Sequence, residues 1–224
     1  MDATASPAPL APPLSPLEAR VLGCLIEKEF STPDLYPLTL NSLVAACNQR
    51  SNRDPVFTVA APEVEAALVG LRNRHLATVF AGAEARVPKH KQTLDQVFPV
   101  EPAARALLAE LLLRGPQTAA ALRGNVVRLC EVPDTAGFET LLGDLANRPG
   151  GGLVHLLPRQ PGQKEARWAQ RIATEAALPD GPSAPVTVAL TLPIEVEQRL
   201  AMLESEVIRL RAELGALRRS LGEN

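Results

Sequence analysis

The chain has 224 residues, with 23 Lys+Arg against 25 Asp+Glu for a formal net charge of −2, and it is 46% hydrophobic and 3% aromatic. That length allows one large domain or two small ones, and the composition excludes wholesale disorder. The charge balance removes the simplest argument for a nucleic-acid binder, the scarcity of aromatics disfavours a base-stacking platform, and three scattered cysteines (Cys24, Cys47, Cys130) exclude a disulfide framework and predict a reducing, cytoplasmic setting.

Residues 1–14 read as a disordered Pro-rich tail, with Pro7, Pro9, Pro12 and Pro13 among Ala and Ser. The tail has neither a basic n-region nor an apolar h-region, which predicts no secretory signal. No run approaches the roughly 18 apolar residues of a membrane span, which predicts no membrane partner. A first domain is expected over 15–98. Ser15, Pro16 and Glu18 supply the N-cap, N1 and N3 residues of a capping box, and Leu17, Val21, Cys24 and Leu25 follow at helical spacing. A second helix starts near Thr39, and a third carries Val64, Leu68 and Leu71 at i, i+4, i+7. Leu76 to Phe80 then reads as a strand, with Ala85-Arg86-Val87 as its return.

A second domain, 99–171, repeats the pattern. Pro102 opens a helix with Leu107, Leu108, Leu111 and Leu112, a short helix starts near Thr118, and Phe138, Leu142 and Leu145 mark a third. Leu153 to Leu157 and Ala166 to Ala169 form a second hairpin. Three helices and a hairpin are the winged-helix order. Two copies predict a mainly α fold with small β-hairpins (α+β): two tandem winged-helix domains plus a C-terminal coiled-coil helix.

Residues 172–192, rich in Pro near Leu178 to Pro185, read as a linker to a coiled-coil helix over 193–224. There Leu200, Val207, Leu214 and Leu221 take heptad position a, and Val196, Leu203, Leu210 and Leu217 take d. In a parallel pair the g-to-e' contacts are Arg199–Glu204, Glu206–Arg211 and Glu213–Arg218, all attractive, whereas antiparallel pairing sets like charges together. These eight residues predict a parallel self-dimer. The alternative is an amphipathic helix folded back on its own domain.

Catalytic templates fail. His75, His90 and His155 have no second His or Cys at metal-ligand spacing, and no Walker loop, dinucleotide fingerprint or nucleophile elbow occurs. No enzyme activity, metal or cofactor is expected. Cys24 and Cys47 lie on apolar helical phases and read as core thiols. Two polar clusters remain. Asn48, Gln49, Arg50, Asn52 and Arg53 follow the second helix, where amides could read bases and arginines contact phosphate. Equally, the loop could satisfy itself, with Asp54 pairing Arg50 or Arg53. Arg159, Lys164 and Arg167 surround Gly162 in the second hairpin, either as a basic wing or as an ordinary solvated hairpin. Arg72 and Arg74 add basic residues late in the third helix. Glu63, Glu65, Asp134 and Glu139 put acids early in the third helices, where they suit the helix dipole but repel phosphate.

Several stretches are more specific than a generic winged helix: Leu17 to Lys28, Thr32 to Asn41, Ala46 to Val56, Leu111 to Thr118, Leu122-Arg123 and the Arg159 to Arg167 hairpin. Through them the sequence closely resembles the YceH family of uncharacterised bacterial proteins, from about Leu14 to Arg171, with heptads like the family's tail. The resemblance implies tandem winged-helix domains in a cytoplasmic bacterial protein and brings no activity, ligand or catalytic residue. The chain departs from the family at Pro88 and His90, where the family carries a non-proline residue and Tyr. Pro88 must sit at a strand end or edge. Two functions are carried forward: a dimeric regulator contacting duplex DNA, and a protein–protein adaptor using winged helices as contact modules.

Overall fold

The computed structural model describes residues 9–80 and 87–174. The heptad residues Val196 to Leu221, most of the linker and Ala85-Arg86 lie outside these described residues. The described part is mixed α+β, mostly helical, with small antiparallel sheets.

Helix α1 (Pro16–Ser31) begins as its sequence predicts. Glu18 N donates to Ser15 Oγ at 3.2 Å and Ser15 N donates to Glu18 Oε2 at 2.8 Å, closing the capping box. A two-residue strand β1 (Leu38–Thr39) leads into α2 (Leu40–Cys47), capped by the Thr39 hydroxyl. Helix α3 (Ala61–Asn73) buries Val64, Leu68 and Leu71. Strands β2 (Ala77–Phe80) and β3 (Lys89–Gln92) complete a sheet of order β1-β3-β2, with Leu38 opposite His90 and Ala77 opposite Gln92. Of the expected return, Val87 is among the described residues and lies before β3, which there starts at Lys89. Pro88 has no N–H to give to a ladder, so pairing begins immediately after it.

A one-turn helix α4 (Leu94–Val97) joins this half to α5 (Pro102–Arg114), α6 (Ala119–Val126), α7 (Thr135–Ala146), β4 (Val154–Leu156) and β5 (Trp168–Gln170). Thr118 caps α6 and Asp134 caps α7. Gln117 pairs with Trp168 on the side of β5 away from β4, which matches the place of β1 beside β3. The order helix, strand-like residue, helix, helix, hairpin thus occurs twice.

The halves do not pack as separate bodies. One continuous core runs through both, and all the described residues fall within a single compact unit, Met1–Leu178. Its centre is the contact of α1 with α5. A Cβ at Gly23 would stand 2.9 Å from Leu113 Cδ2, so only glycine lets the two helices approach this closely. The tail and linker also lose their inner ends to the fold. Leu14 is fully buried, its N–H donates to Ile172 O at 2.9 Å, and Thr174 N–H donates to Leu14 O at 2.8 Å. An apolar side chain beside the helix cap buries more area there than a solvated tail allows.

Candidate functional site

The polar run after α2 turns inward. Arg53 is 5% exposed, and its five N–H groups meet five acceptors. Nε donates to Ala46 O at 3.1 Å, and Nη1 donates to Glu27 Oε1 at 3.1 Å and Asn52 O at 2.8 Å. Nη2 donates to Glu27 Oε2 at 2.7 Å and Gln49 Oε1 at 2.8 Å. Burial pushes the Glu27 carboxyl up, but the hydrogen bonds and charge of Arg53 outweigh it and hold the carboxyl below its ordinary value. The pair Arg53 makes is with Glu27 of α1, not with Asp54.

The neighbouring amides are engaged as well. Asn48 Nδ2 donates to Val59 O and Val59 N–H donates to Asn48 Oδ1, both at 2.8 Å. Asn52 adopts φ +60°, a left-handed conformation that Asn tolerates, and its Oδ1 accepts from Arg114 of α5. Asp54 N–H donates to Leu113 O at 2.8 Å. The loop therefore bolts α2 to α1 and to α5. Internal partners occupy the whole Asn48 amide and the Arg53 guanidinium, which are not disposed to read bases or touch phosphate, and they take the side-chain oxygens of Gln49 and Asn52. Arg50 is different. It is exposed, makes no hydrogen bond or ion pair among the described residues, and lines a cleft of about 540 Å³ with Lys28, Arg114 and Arg128.

The remaining candidates separate in the same way. Arg74 lies 3.9 Å from Glu18 and donates to Pro12 O, so it holds the start of α1. Arg72 lines a shallow recess of about 310 Å³ with Lys91 and His75. Burial first, and then the Arg72 charge, draw His90 below the usual histidine range. Arg159, Lys164 and Arg167 stand exposed between β4 and β5, around Gly162 at φ +86°, and none of their side chains has a hydrogen-bond or ion-pair partner among the described residues. The early acids act as caps: Glu63 accepts from Ala60 N–H and Asp134 from Gly137 N–H, each at 2.8 Å.

Sequence reasoning missed two buried arginine settings on and against the predicted helix α1. Arg20, Cys24 and Glu27 fall at i, i+4, i+7 on α1, so charged residues share a stripe with a core thiol. That interruption of an apolar face was the available signal. Arg20 is 2% exposed; Nη1 donates to Cys47 O at 3.3 Å, Nη2 donates to Pro55 O, and the guanidinium lies 4.3 Å from the Phe57 ring centroid. Glu110 of α5 is buried beside Arg114 Nε, at 3.1 Å, and burial raises its carboxyl with the Arg114 charge only partly offsetting it. Cys24 and Cys47 are buried, as their helical phase predicts. Among the described residues no group of three or more His, Cys, Asp or Glu could hold a metal ion, and no helix is long and apolar enough to cross a membrane.

Residues 14–163 match the model of a family described as a protein of unknown function, DUF480. The chain is 48% identical to a UPF0502 protein of Geobacter sulfurreducens over 88% of this chain and 90% of that one. It is 48% identical to a UPF0502 protein of Geotalea uraniireducens over 94% and 95%, and 42% identical to one of Cupriavidus metallidurans over 99% and 92%. These names state no activity. The chain belongs to this DUF480/UPF0502 family of uncharacterised bacterial proteins.

Proposed function

We propose that this family member is a non-enzymatic, cytoplasmic tandem winged-helix protein that contacts duplex DNA as a dimeric regulator. The twice-repeated element order supports the winged-helix reading, and fold alone carries DNA binding only by analogy. The observation that carries the DNA contact is the second hairpin. Arg159, Lys164 and Arg167 are exposed, unpaired among the described residues and grouped about a glycine tip, which suits a wing laid on phosphate or in the minor groove. Arg50 and Arg72 are further cations of the set without a partner among the described residues. Because Asn48 and the side-chain oxygens of Gln49 and Asn52 are held internally, positioning on the backbone dominates over base readout. The heptads from Val196 to Leu221 supply the parallel pairing.

Fluorescence anisotropy of full-length protein on mixed-sequence duplex DNA, across a salt series, tests the reading. Affinity that falls linearly with log salt is expected, and absence of binding at low salt rejects it. Deleting Leu192 to Asn224 is expected to convert a dimeric mass to a monomeric one; a monomeric mass for both proteins removes the dimer.

The adaptor reading has its own observation. Val79 and Phe80 at the end of β2, and Val87 before β3, are 36%, 47% and 54% exposed, apolar side chains that a protein contact could cover. Binding of DNA that is unaffected by Val79→Ser and Phe80→Ser keeps the two surfaces separate.

A further inference from the structure

We propose that the cleft between α1, the loop after α2, α5 and the second hairpin binds a small organic anion with an apolar body, such as an aryl or alkyl carboxylate. The cleft measures about 550 Å³, within the range of small-molecule sites. Its apolar lining includes Phe57, Leu111, Leu112 and Leu157, with Pro55 and Pro116 stiffening the walls. Its charge is one-sided. Among the described residues that line it, four are arginines (Arg20, Arg114, Arg159, Arg167) and one is an acid, Asp54.

Arg20 makes this more than a basic patch. The other buried arginine, Arg53, is hydrogen-bonded to the carboxylate of Glu27, whereas Arg20 bonds the carbonyls of Cys47 and Pro55 and lies over Phe57, with the Asp54 charge nearby but not in an ion pair with it. Its Nε–H is buried and donates to no acceptor among them. A buried guanidinium with no carboxylate hydrogen-bonded to it is costly, and an anion in the cleft it lines offsets that cost. Arg159 and Arg167 stand exposed on the open side, without partners among the described residues, and can close on the charged end while the apolar body lies against Phe57 and α5. These two arginines also belong to the proposed DNA surface, so anion and DNA compete. That consequence rests on the DNA reading; the site itself does not.

The test titrates full-length protein, without DNA, into 8-anilinonaphthalene-1-sulfonate and into its uncharged relative N-phenyl-1-naphthylamine. One saturable site is expected for the sulfonate, displaced by 4-phenylbutyrate. Its affinity is expected to fall about tenfold or more in Arg159→Glu/Arg167→Glu, which alters exposed residues only. Phe57→Ala is expected to weaken the sulfonate without removing the charge dependence. Equal binding of the uncharged probe, equal affinity of the double variant, or no saturable binding overturns the proposal. A failure here leaves salt-dependent DNA binding intact, so the two readings fail separately.

Discussion

Two arginine-rich segments, the loop 48–55 and the hairpin 158–167, look alike in sequence and do opposite things in the fold. Both hold basic residues among amides with one acid near. The loop is anchored by Glu27, which arrives from the buried face of α1 and takes Arg53 inside, after which Gln49 completes its acceptors. No acid among the described residues reaches the hairpin cations, so Arg159, Lys164 and Arg167 remain at the surface. The composition of a cluster does not decide whether it binds something outside. The decisive factor is whether the core offers a counter-charge.

Removing one partner of the buried pair breaks this contrast most strongly. Arg53→Met leaves the buried Glu27 carboxylate with Lys28, 3.4 Å away, as its remaining ion-pair partner, and a loss of up to about 3–5 kcal/mol in denaturant unfolding is expected. Replacing both, as Glu27→Leu with Arg53→Met, is expected to recover much of it, which distinguishes a charge effect from poorer packing. Gly23→Ala comes next. The added methyl meets Leu113, whose carbonyl anchors Asp54 N–H, so a loss of about 1–3 kcal/mol is expected in the same assay.

The pH dependence of stability sharpens the comparison. Arg53 holds the Glu27 carboxyl below its ordinary 4.5, so its stabilisation is fully present above that value and is lost as pH falls through the lower folded value. Glu110, raised by burial, works in the opposite direction: the fold favours its protonated form, and that contribution fades as pH rises through its folded value. Acid unfolding followed by circular dichroism is expected to be less steep in Glu27→Leu/Arg53→Met than in the native chain. The smallest stability effect belongs to the hairpin. Arg159→Ala/Lys164→Ala/Arg167→Ala is expected to stay within about 0.5 kcal/mol of the native chain, since none of the three has a partner to lose among the described residues.

Much of the described fold was legible because it rests on local rules. Ser15, Thr118 and Pro102 mark helix starts through capping and proline geometry, and the i, i+4, i+7 triplets mark the buried faces of α3 and α7. Among the described residues β3 begins at Lys89, after Pro88, whose missing N–H acts on the backbone ladder and not on the side-chain pattern. Leu14 was misplaced for a different reason: its partners lie at 172–174, far along the chain. The same distance hid the site. Glu27 and Arg53 have no fixed spacing in sequence, and the Arg20 cleft exists only once α1, α5 and the second hairpin converge. The free cations of the hairpin were visible as residues, but their freedom depends on what the core does not bring to them.

The most direct test compares the salt dependence of DNA affinity in the native chain with that of Arg159→Ala/Lys164→Ala/Arg167→Ala, by fluorescence anisotropy on the same duplex. If the hairpin lies on phosphate, the slope of log affinity against log salt shrinks by about 0.9 for each phosphate no longer neutralised, or about 2.7 for the triple variant. An unchanged slope contradicts the assignment of the hairpin as the DNA-binding element, and no binding of the native chain at low salt contradicts DNA binding itself.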